Sequence, residues 1–421
     1  MYGSRKDIKH NLTLFFIDGM MFMPAMTLIS IATVIPFFLE QLGASTIQVG
    51  MAAAMAFICT FMSQPLFGSI ASRAKLMHKT FGKILLMQRF IFLGFVLIIP
   101  LFSDAVLVWM FLLFWGIFNI FAGSYSVFFA PLLLKLLPPD MRGGIRGIGF
   151  ALGAGLGVIM SALIPLILNS LIFPYNFMLI FGIGALFLIA DAILFLLMRE
   201  HEDVEPRVPM SILQYLKGIP SSVSGDAHFR TMIIMCTFLV IANALLPYYT
   251  VYAIRIFSAT ETHIATLTAL GVISAAIGHI VFGVIVDRKG PATTAIITAC
   301  LIITAGTLAL TTNSLIFLYA AWIFANLGAT CYMLTATLLL DGVTPPGKLP
   351  LYVGVLTAIS MAISSGILLL LAPAIERVGF GLLFVVVLSC GVLSLFVNLL
   401  FFRRGMKQRI NADAQTPQSD Q

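Results

Sequence analysis

One pattern of twelve residues occurs twice in this chain: residues 115–126 read WGIFNIFAGSYS, and residues 322–333 read WIFANLGATCYM. A shift of 207 residues superimposes the two copies and extends beyond them. The pairs that this shift aligns are Trp115 and Trp322, Asn119 and Asn326, Tyr125 and Tyr332, Pro138 and Pro345, Pro139 and Pro346, and Gly147 and Gly354. An offset kept over this length indicates two copies of one structural unit.

The composition places these units in a membrane. The 421 residues are 60% apolar and 10% charged, and the mean hydropathy is +1.06. A soluble domain is about half apolar and about a quarter charged, so this composition excludes a soluble globule, a disordered chain and a nucleic-acid-binding domain. All five cysteines lie in long apolar runs, which excludes a disulfide framework. Twelve membrane-crossing helices of about 20 residues need about 240 apolar residues. The apolar 60% of the 421 residues is close to that number.

Hydropathy predicts twelve membrane-crossing helices, which we call spans 1 to 12. We expect them at about 12–39, 47–71, 82–103, 105–134, 145–170, 175–198, 231–256, 264–286, 292–311, 314–341, 351–375 and 380–402. Lipid offers no partner to a free backbone amide, so every span is predicted to be helical. The chain then divides into a six-helix bundle at 1–198, a linker at 199–230, a second bundle at 231–402 and a polar, disordered tail at 403–421. Within the linker, 210–217 has the composition of a short helix lying on the membrane surface.

The basic residues predict the orientation. Of the 24 lysine and arginine residues, 21 fall in or directly beside predicted loops on the side of both chain termini. Arg255 and Arg377 fall on the opposite side, and Arg89 lies within a span. Because basic residues collect in cytoplasmic loops, we expect both termini in the cytoplasm. We expect a multi-pass protein of the bacterial inner (plasma) membrane.

Two loops carry another repeated motif. The loop after span 2 reads GSIASRAK at 68–75, and the loop after span 8 reads GVIVDRKG at 283–290. Both resemble the G-x-x-x-D-R/K-x-G signature of the major facilitator superfamily, and the loop PPDMRGG at 138–144 is also similar to that superfamily. The first copy departs from the signature at Ser72, where Asp is expected. The resemblance implies a role in cytoplasmic gating for Gly68, Arg73, Gly283, Asp287, Arg288 and Gly290; the alternative is that these basic loops only fix the topology.

The resemblance covers essentially the whole chain and implies both fold and function. The implied fold is an all-α polytopic membrane protein with twelve transmembrane helices in two six-helix bundles. Like-oriented repeats place a binding site at their interface, near the middle of the membrane. The implied function is secondary active transport of a small solute by alternating access. We expect a monomer in the lipid bilayer with no cofactor and no enzymatic activity; coupling to protons stays open.

Four ionisable residues stand out because they lie well inside the predicted spans: Asp18, Arg89, Asp191 and His279. A charge at membrane depth is unfavourable, so each is a predicted functional residue. By helix rise, the two aspartates and Arg89 all lie about 10 Å deep. We expect Arg89 to pair with Asp191, with Asp18 or with both, although side chains at this depth can also reach water. The structural pair is predicted to be Arg89 with Asp191, and Asp18 is the predicted proton-coupling residue. His279 is predicted to pack.

By the resemblance, spans 1, 4, 7 and 10 line the substrate cavity. Their small and polar residues form the predicted cavity set: Asn119, Gly123, Ser126, Asn243, Tyr248, Tyr249, Asn326, Thr330 and Tyr332. Positions 119, 123 and 126 share one side of a helix, as do 326 and 330. Amide and hydroxyl groups can hydrogen-bond a neutral polar solute, and the aromatic rings offer stacking surfaces. The alternative is that the amides hold neighbouring helices together.

The sequence leaves other functions open beside transport of a polar solute and disfavours some of them. Asn119 stands where drug/proton antiporters of the superfamily carry Arg, which disfavours export of drugs or amphipathic compounds but leaves it open. A sensor that binds a solute without moving it also stays open. A membrane-embedded enzyme would need a cluster of His, Asp or Glu facing one membrane side, and the sequence has none. The sequence also has no phosphate-binding loop for ATP and no metal-ligand spacing.

Overall fold

The computed structural model describes residues 4–138, 141, 144–201, 227–311, 313–344 and 349–415. This part of the chain is built of α-helices joined by short loops, with one 3-10 turn at Ile99–Leu101. The helices are Arg5–Leu28, Val34–Gln41, Thr46–Arg73, Met77–Ile98, Asp104–Leu136, Gly144–Ser170, Tyr175–Leu197, Ala227–Ala244, Leu246–Phe257, Glu261–Thr311, Leu315–Val343, Leu349–Val378 and Gly381–Gln415.

Twelve segments of these helices are long and apolar enough to cross a membrane, which confirms the predicted number of spans. Spans 1 to 12 are Arg5–Leu28, Thr46–Arg73, Met77–Leu101, Asp104–Leu136, Ile148–Ser170, Tyr175–Leu197, Phe229–Phe257, Glu261–Val286, Arg288–Thr311, Leu315–Met333, Tyr352–Val378 and Gly381–Leu400. The last helix continues to Gln415, into the tail for which the sequence predicts disorder. The predicted surface helix at 210–217 lies outside the described residues.

Because an even number of spans alternates in direction, the beginning of span 1 and the end of span 12 lie at one end of the structure. We call this the terminal end, and the opposite end the far end. Span 1 begins at the terminal end and is followed by a short helix, Val34–Gln41, at the far end. Span 7 is also broken, since Ala227–Ala244 is followed by Leu246–Phe257. Pro36 and Pro247 each lie in the first turn of the second piece, where a proline ring does not interrupt helical hydrogen bonds.

The two halves arrange their helices in the same order. In the first half, span 1 packs on spans 5 and 6, span 3 on spans 4 and 6, and span 2 on span 4. In the second half, span 7 packs on spans 11 and 12, and span 10 on spans 8 and 9. Spans 2 and 11 form one seam between the halves, and spans 5 and 8 form the other. Spans 1, 4, 7 and 10 therefore lie between the two seams.

The buried apolar residues form three clusters that divide the molecule by depth. The largest cluster lies toward the far end and contains residues of both halves, such as Val49 and Leu267. Toward the terminal end, one cluster around Phe81 belongs to the first half alone. Another, around Phe229 and Tyr352, belongs to the second half alone. The halves thus share a core at the far end and have separate cores at the terminal end.

Glycine brings spans 1 and 5 unusually close together. Gly19 faces Gly149, and a Cβ atom added to Gly19 would lie 2.8 Å from the backbone of Gly149. A Cβ atom on Gly153 would overlap the Gly19 carbonyl oxygen. Small residues at such positions let two backbones approach within a membrane. The glycine-rich sequence of span 5 is therefore explained by helix packing.

Candidate functional site

A buried ion pair joins spans 3 and 6 in the first half. Arg89 Nη2 lies 3.3 Å from Asp191 Oδ2, and both side chains are almost fully buried. The Arg89 Nε group also donates to the Leu188 carbonyl oxygen at 3.5 Å, and Nη1 donates to the side-chain oxygen of Gln88. Gln88 in turn donates to the Phe118 carbonyl oxygen of span 4 at 2.7 Å. The structure thus brings together the two residues that the sequence predicts as a pair.

Asp18 belongs to the same cluster. Its side chain is fully buried, and its carboxyl group interacts with that of Asp191. The Asp18 charge also acts on Arg89. Asp18 therefore faces spans 3 and 6 inside the first bundle. The opposite side of span 1 carries Thr13 and Met20, which are at least partly exposed. We call Asp18, Arg89 and Asp191 the charge cluster.

The repeated tryptophans and asparagines make the same hydrogen bonds in both halves. Trp115 Nε1 donates to the Ala52 carbonyl oxygen of span 2 at 3.0 Å, and Trp322 Nε1 donates to the Leu267 carbonyl oxygen of span 8 at 2.7 Å. The Asn119 and Asn326 amides each donate to the carbonyl oxygen four residues earlier, at 2.8 and 2.9 Å. The two tryptophan bonds fix span 4 on span 2 and span 10 on span 8, whereas the two asparagine bonds stay within one helix. Asn119 is buried and Asn326 is partly exposed.

Gly123 and Thr330 occupy equivalent places in the two packed pairs of helices. Gly123 faces the Ser63 hydroxyl group of span 2, and a Cβ atom there would overlap it. In the second half the hydroxyl group is on Thr330, and the small partner is Gly278 of span 8. Ser126 is exposed, and its hydroxyl group donates to the Gly123 carbonyl oxygen at 3.1 Å. Within this group, Ser126 is the exposed side chain.

The tyrosines of span 7 lie in the packed far-end region. Tyr248 is fully buried, and its hydroxyl group donates to the Leu368 carbonyl oxygen of span 11 at 3.1 Å. Tyr249 is also fully buried and packs edge-on against Phe384, with ring centroids 5.1 Å apart. Asn243 and Tyr332 are partly exposed. The predicted cavity set thus spans fully buried to exposed environments.

The motif loops lie at the terminal end. In the described part of the structure, Gly68 and Gly283 have no atom within 4 Å of an added Cβ position, so no neighbouring helix packs closely on either glycine. Gly290 has φ 79°, a left-handed conformation that suits glycine, and it separates spans 8 and 9. Arg73 ends the helix of span 2, and Arg73 and Arg288 are both exposed. Asp287 is helical, and its side chain lies outside the described part of the structure.

The far end carries an ion-pair network between the halves, which we call the far-end latch. Arg255 of span 7 binds Glu40 through two hydrogen bonds, of 3.0 and 2.8 Å. It also donates to the Thr46 hydroxyl group at 2.8 Å and to the Ala44 carbonyl oxygen at 3.3 Å. Glu376 of span 11 accepts from the Thr46 backbone amide at 3.0 Å. The latch therefore ties spans 7 and 11 to the loop before span 2.

Further hydrogen bonds across the halves lie in the same region. Thr250 donates to the Ala32 carbonyl oxygen at 2.7 Å, and the Thr268 and Thr33 hydroxyl groups are 2.8 Å apart. The sequence prediction missed these contacts. Arg255 was recognisable as one of two basic residues on its side of the membrane, but the sequence did not indicate its partner.

A second polar group anchors the start of the linker to the first bundle. Glu200 accepts from the His78 backbone amide at 2.8 Å and from Lys135 Nζ at 2.7 Å. Burial favours the neutral form of Glu200, but the hydrogen bonds from His78 and Lys135 outweigh it and hold the pKa of Glu200 below its usual value. Asn11 and the backbone of Arg199 exchange two hydrogen bonds, of 2.8 and 2.9 Å. These contacts fix residues 199–200 on spans 1, 3 and 4.

No family model matches the chain, and no curated protein sequence matches it either. Solved structures of transporters match it over nearly its whole length. A D-xylose-proton symporter has 16% sequence identity and a TM-score of 0.71, covering 94% of this chain and 97% of that one. The nucleoside transporter NupG has 10% identity and a TM-score of 0.70, covering 94% and 100%. A bacterial homologue of the human lysosomal transporter Spinster, inward-facing and unoccupied, has 15% identity and a TM-score of 0.61, covering 95% and 97%.

These comparisons define the class of fold. The chain is a multi-pass membrane protein with twelve spans in two six-helix bundles, the fold of those transporters. The fold predicted from the sequence, an all-α membrane protein of two six-helix bundles, is thereby confirmed.

Proposed function

We propose that this protein is a secondary transporter that moves a small solute across the membrane by alternating access between its two bundles. The observation that carries the proposal is the division of the core by depth. The halves share buried residues and the far-end latch at one end, whereas each has its own core at the other. Two bundles joined at one end can rock about the region between them and expose a central site to each side in turn.

The orientation follows from the distribution of basic residues. If the base-rich terminal end faces the cytoplasm, the shared core lies on the outer side and the separate cores on the inner side, and we infer an inward-facing conformation. We further propose that the protein acts as a monomer in the inner membrane of a bacterium, because each half supplies half of the central site within one chain.

Solute flux tests the proposal. The purified protein in proteoliposomes is supplied with labelled D-xylose, uridine, an amino acid, an organic anion or a lipophilic cation, after a thermal-shift screen has ranked these probes by the stability they add. We expect one class to stabilise the protein and to accumulate in the vesicles. Specific binding without flux would contradict the transport proposal and favour a sensor.

We propose that the charge cluster carries the coupling proton. Asp18 and Asp191 together hold one more negative charge than Arg89 neutralises, and all three side chains are buried. An uncompensated carboxylate is strongly disfavoured in such a place. One proton held by the two carboxyl groups removes that charge. Loss of the proton would then disturb the contacts among spans 1, 3 and 6, which gives protonation a mechanical consequence.

Asp18→Asn tests this coupling. The variant keeps the size and buried position of the side chain but cannot exchange a proton. We expect pH-driven uptake of the identified solute to fall to the level seen without a gradient, while exchange of solute for solute continues. Asp104→Asn, at an exposed aspartate of the far end, is the control. Unchanged pH-driven uptake in Asp18→Asn would contradict a coupling role while leaving transport itself in place.

Export of an amphipathic compound is the second proposal, and one observation favours it. Span 1 carries Ile17, Met20 and Met21, all partly exposed, on the side opposite Gly19 and span 5. Methionine side chains adapt to varied apolar ligands. If lipophilic cations stabilise the protein and sugars and nucleosides do not, this alternative replaces transport of a polar solute.

A further inference from the structure

The transport proposal leaves unused a groove between spans 7 and 11. It has a volume of about 490 Å³, and it is lined by six isoleucines and a phenylalanine together with Thr237 and Arg230. Ile234 and Ile363 are 51% and 44% exposed along its walls. Both helices belong to the second half, so the groove lies within one bundle.

The groove opens on the outside of that bundle. On span 11, Ser365 and Leu368 face the seam with the first half, since Ser365 donates to the Ala54 carbonyl oxygen and Leu368 accepts from Tyr248, which lies against Gly50. Ile363 lies two residues from Ser365, about 200° around the helix. It therefore points away from the seam and toward the bilayer. A groove at this position is filled by lipid rather than by water.

The length and the charge of the groove match one phospholipid chain. From Arg230 to Ile241 the helix rises roughly 16 Å, about half the thickness of a hydrocarbon core of about 30 Å. Its deep part is apolar, as a chain requires, while Arg230 is exposed at the terminal end, at the level of a headgroup. That end carries 21 of the 24 basic residues by sequence, and anionic headgroups collect at such a surface.

From this geometry we propose that the groove between spans 7 and 11 binds an acyl chain of an anionic phospholipid whose phosphate contacts Arg230. Because the groove lies within one bundle, rocking of the halves does not close it. The lipid acts as a fixed part of the second half in both conformations and stiffens the contact between spans 7 and 11. The proposal does not depend on the identity of any transported solute.

Thermal unfolding of the full chain in detergent tests the proposal, with phosphatidylglycerol or phosphatidylcholine of the same acyl chains titrated into the sample. We expect phosphatidylglycerol to raise the melting temperature at lower concentration than phosphatidylcholine does. In Arg230→Gln we expect the apparent affinity for phosphatidylglycerol to fall about five-fold, the share of one basic residue at a membrane surface. Lys83→Gln, an exposed base of the terminal end in the first half, should leave the affinity unchanged.

A second variant tests whether the groove between spans 7 and 11 holds an acyl chain. Ile363→Trp fills the groove and should abolish stabilisation by either lipid, whereas Leu370→Trp, at a residue that is 75% exposed on the same helix, should not. Equal stabilisation by the two lipids, or a preference that Arg230→Gln does not reduce, would overturn the proposal. An equal shift from inorganic phosphate alone would show an ion site without a lipid chain and would also overturn it. If Ile363→Trp is still fully stabilised by lipid, the proposal is also overturned.

Discussion

The two bundles repeat one backbone plan, but they differ in chemistry at equivalent positions. Trp115 and Trp322 each donate to a carbonyl oxygen of the neighbouring helix, and the acceptors Ala52 and Leu267 are themselves related by the 215-residue shift that relates Gly68 to Gly283. The first half buries a charge cluster. The 207-residue shift carries Asp191 onto Asn398, a buried amide. The scaffold is therefore shared, while the buried charge cluster lies in the first half.

The seams within each half show a second difference. Gly149 and Gly153 let span 5 approach span 1 closely, and the same 207-residue shift places Leu356 and Ser360 at these positions in span 11. There the Ser360 hydroxyl group lies 3.1 Å from the hydroxyl group of Thr237 in span 7. One half holds its first span by close backbone packing, and the other holds it by hydroxyl contacts and leaves a groove beside them. The second half is thus more open to lipid.

Replacing Arg89, the cation of the charge cluster, should lower the free energy of unfolding the most. Arg89→Leu leaves two buried carboxyl groups without a positive partner, and breaking a buried ion pair in this way lowers the free energy of unfolding by about 3–5 kcal/mol. Asn398→Leu, at the position equivalent to Asp191, should cost about 1 kcal/mol or less. Survival of folded protein by size exclusion after heating measures both. Equal losses in the two variants would contradict the proposed asymmetry.

Crowding the contact between spans 1 and 5 should lower the free energy of unfolding by an intermediate amount. Gly153→Ala forces a methyl group against the Gly19 carbonyl oxygen and should destabilise the protein by about 1–3 kcal/mol. Ser360→Ala, at the equivalent place in span 11, removes one hydroxyl contact and should cost about 0.6 kcal/mol. The same heating assay compares them. If Ser360→Ala proves the more damaging, the two bundles do not differ in packing as described.

The anchor at Glu200 should give the smallest effect, visible as a pH dependence. A carboxyl group whose pKa is lowered on folding adds stability above its unfolded pKa, about 4.5, and that stability is lost as the pH falls through the lower folded value. We therefore expect Glu200→Gln to reduce the melting temperature by a few degrees at pH 7. The difference from the unmodified protein should shrink toward zero below pH 4. A constant difference at all these pH values would contradict the anchor.

The sequence predicts the fold well and the site partly. The number of spans follows from hydropathy, because few backbone structures satisfy their hydrogen bonds in lipid. The repeat follows from the fixed offset between the two halves. Helix rise also predicts that Asp18, Arg89 and Asp191 lie at one depth. Rotation about the helix axis is set by packing, so the sequence could not tell that Asp18 faces inward. Tyr248 was likewise assigned to the cavity without knowledge of its contact with span 11.

The far-end latch was beyond sequence reasoning for a different reason. Glu40 and Arg255 lie 215 residues apart in the chain, and neither belongs to a motif. Their pairing depends on how the two halves dock, which a repeat within each half does not specify. The same holds for the groove between spans 7 and 11, whose shape results from the side chains of two helices distant in sequence.

The central claim is that the two ends of the molecule open and close in opposite directions. Spin labels at Lys75 and Lys289 report the terminal end, and labels at Asp104 and Asn313 report the far end, with the native cysteines replaced. We predict that Arg255→Gln, which breaks the far-end latch, raises the far-end-open population about five-fold, the effect of one exposed ion pair of about 1 kcal/mol. In that population the far-end distance lengthens and the terminal-end distance shortens. Arg377→Gln, at the same end, should change neither. Distances that stay unchanged, or that change in the same direction at both ends, would contradict alternating access in this protein.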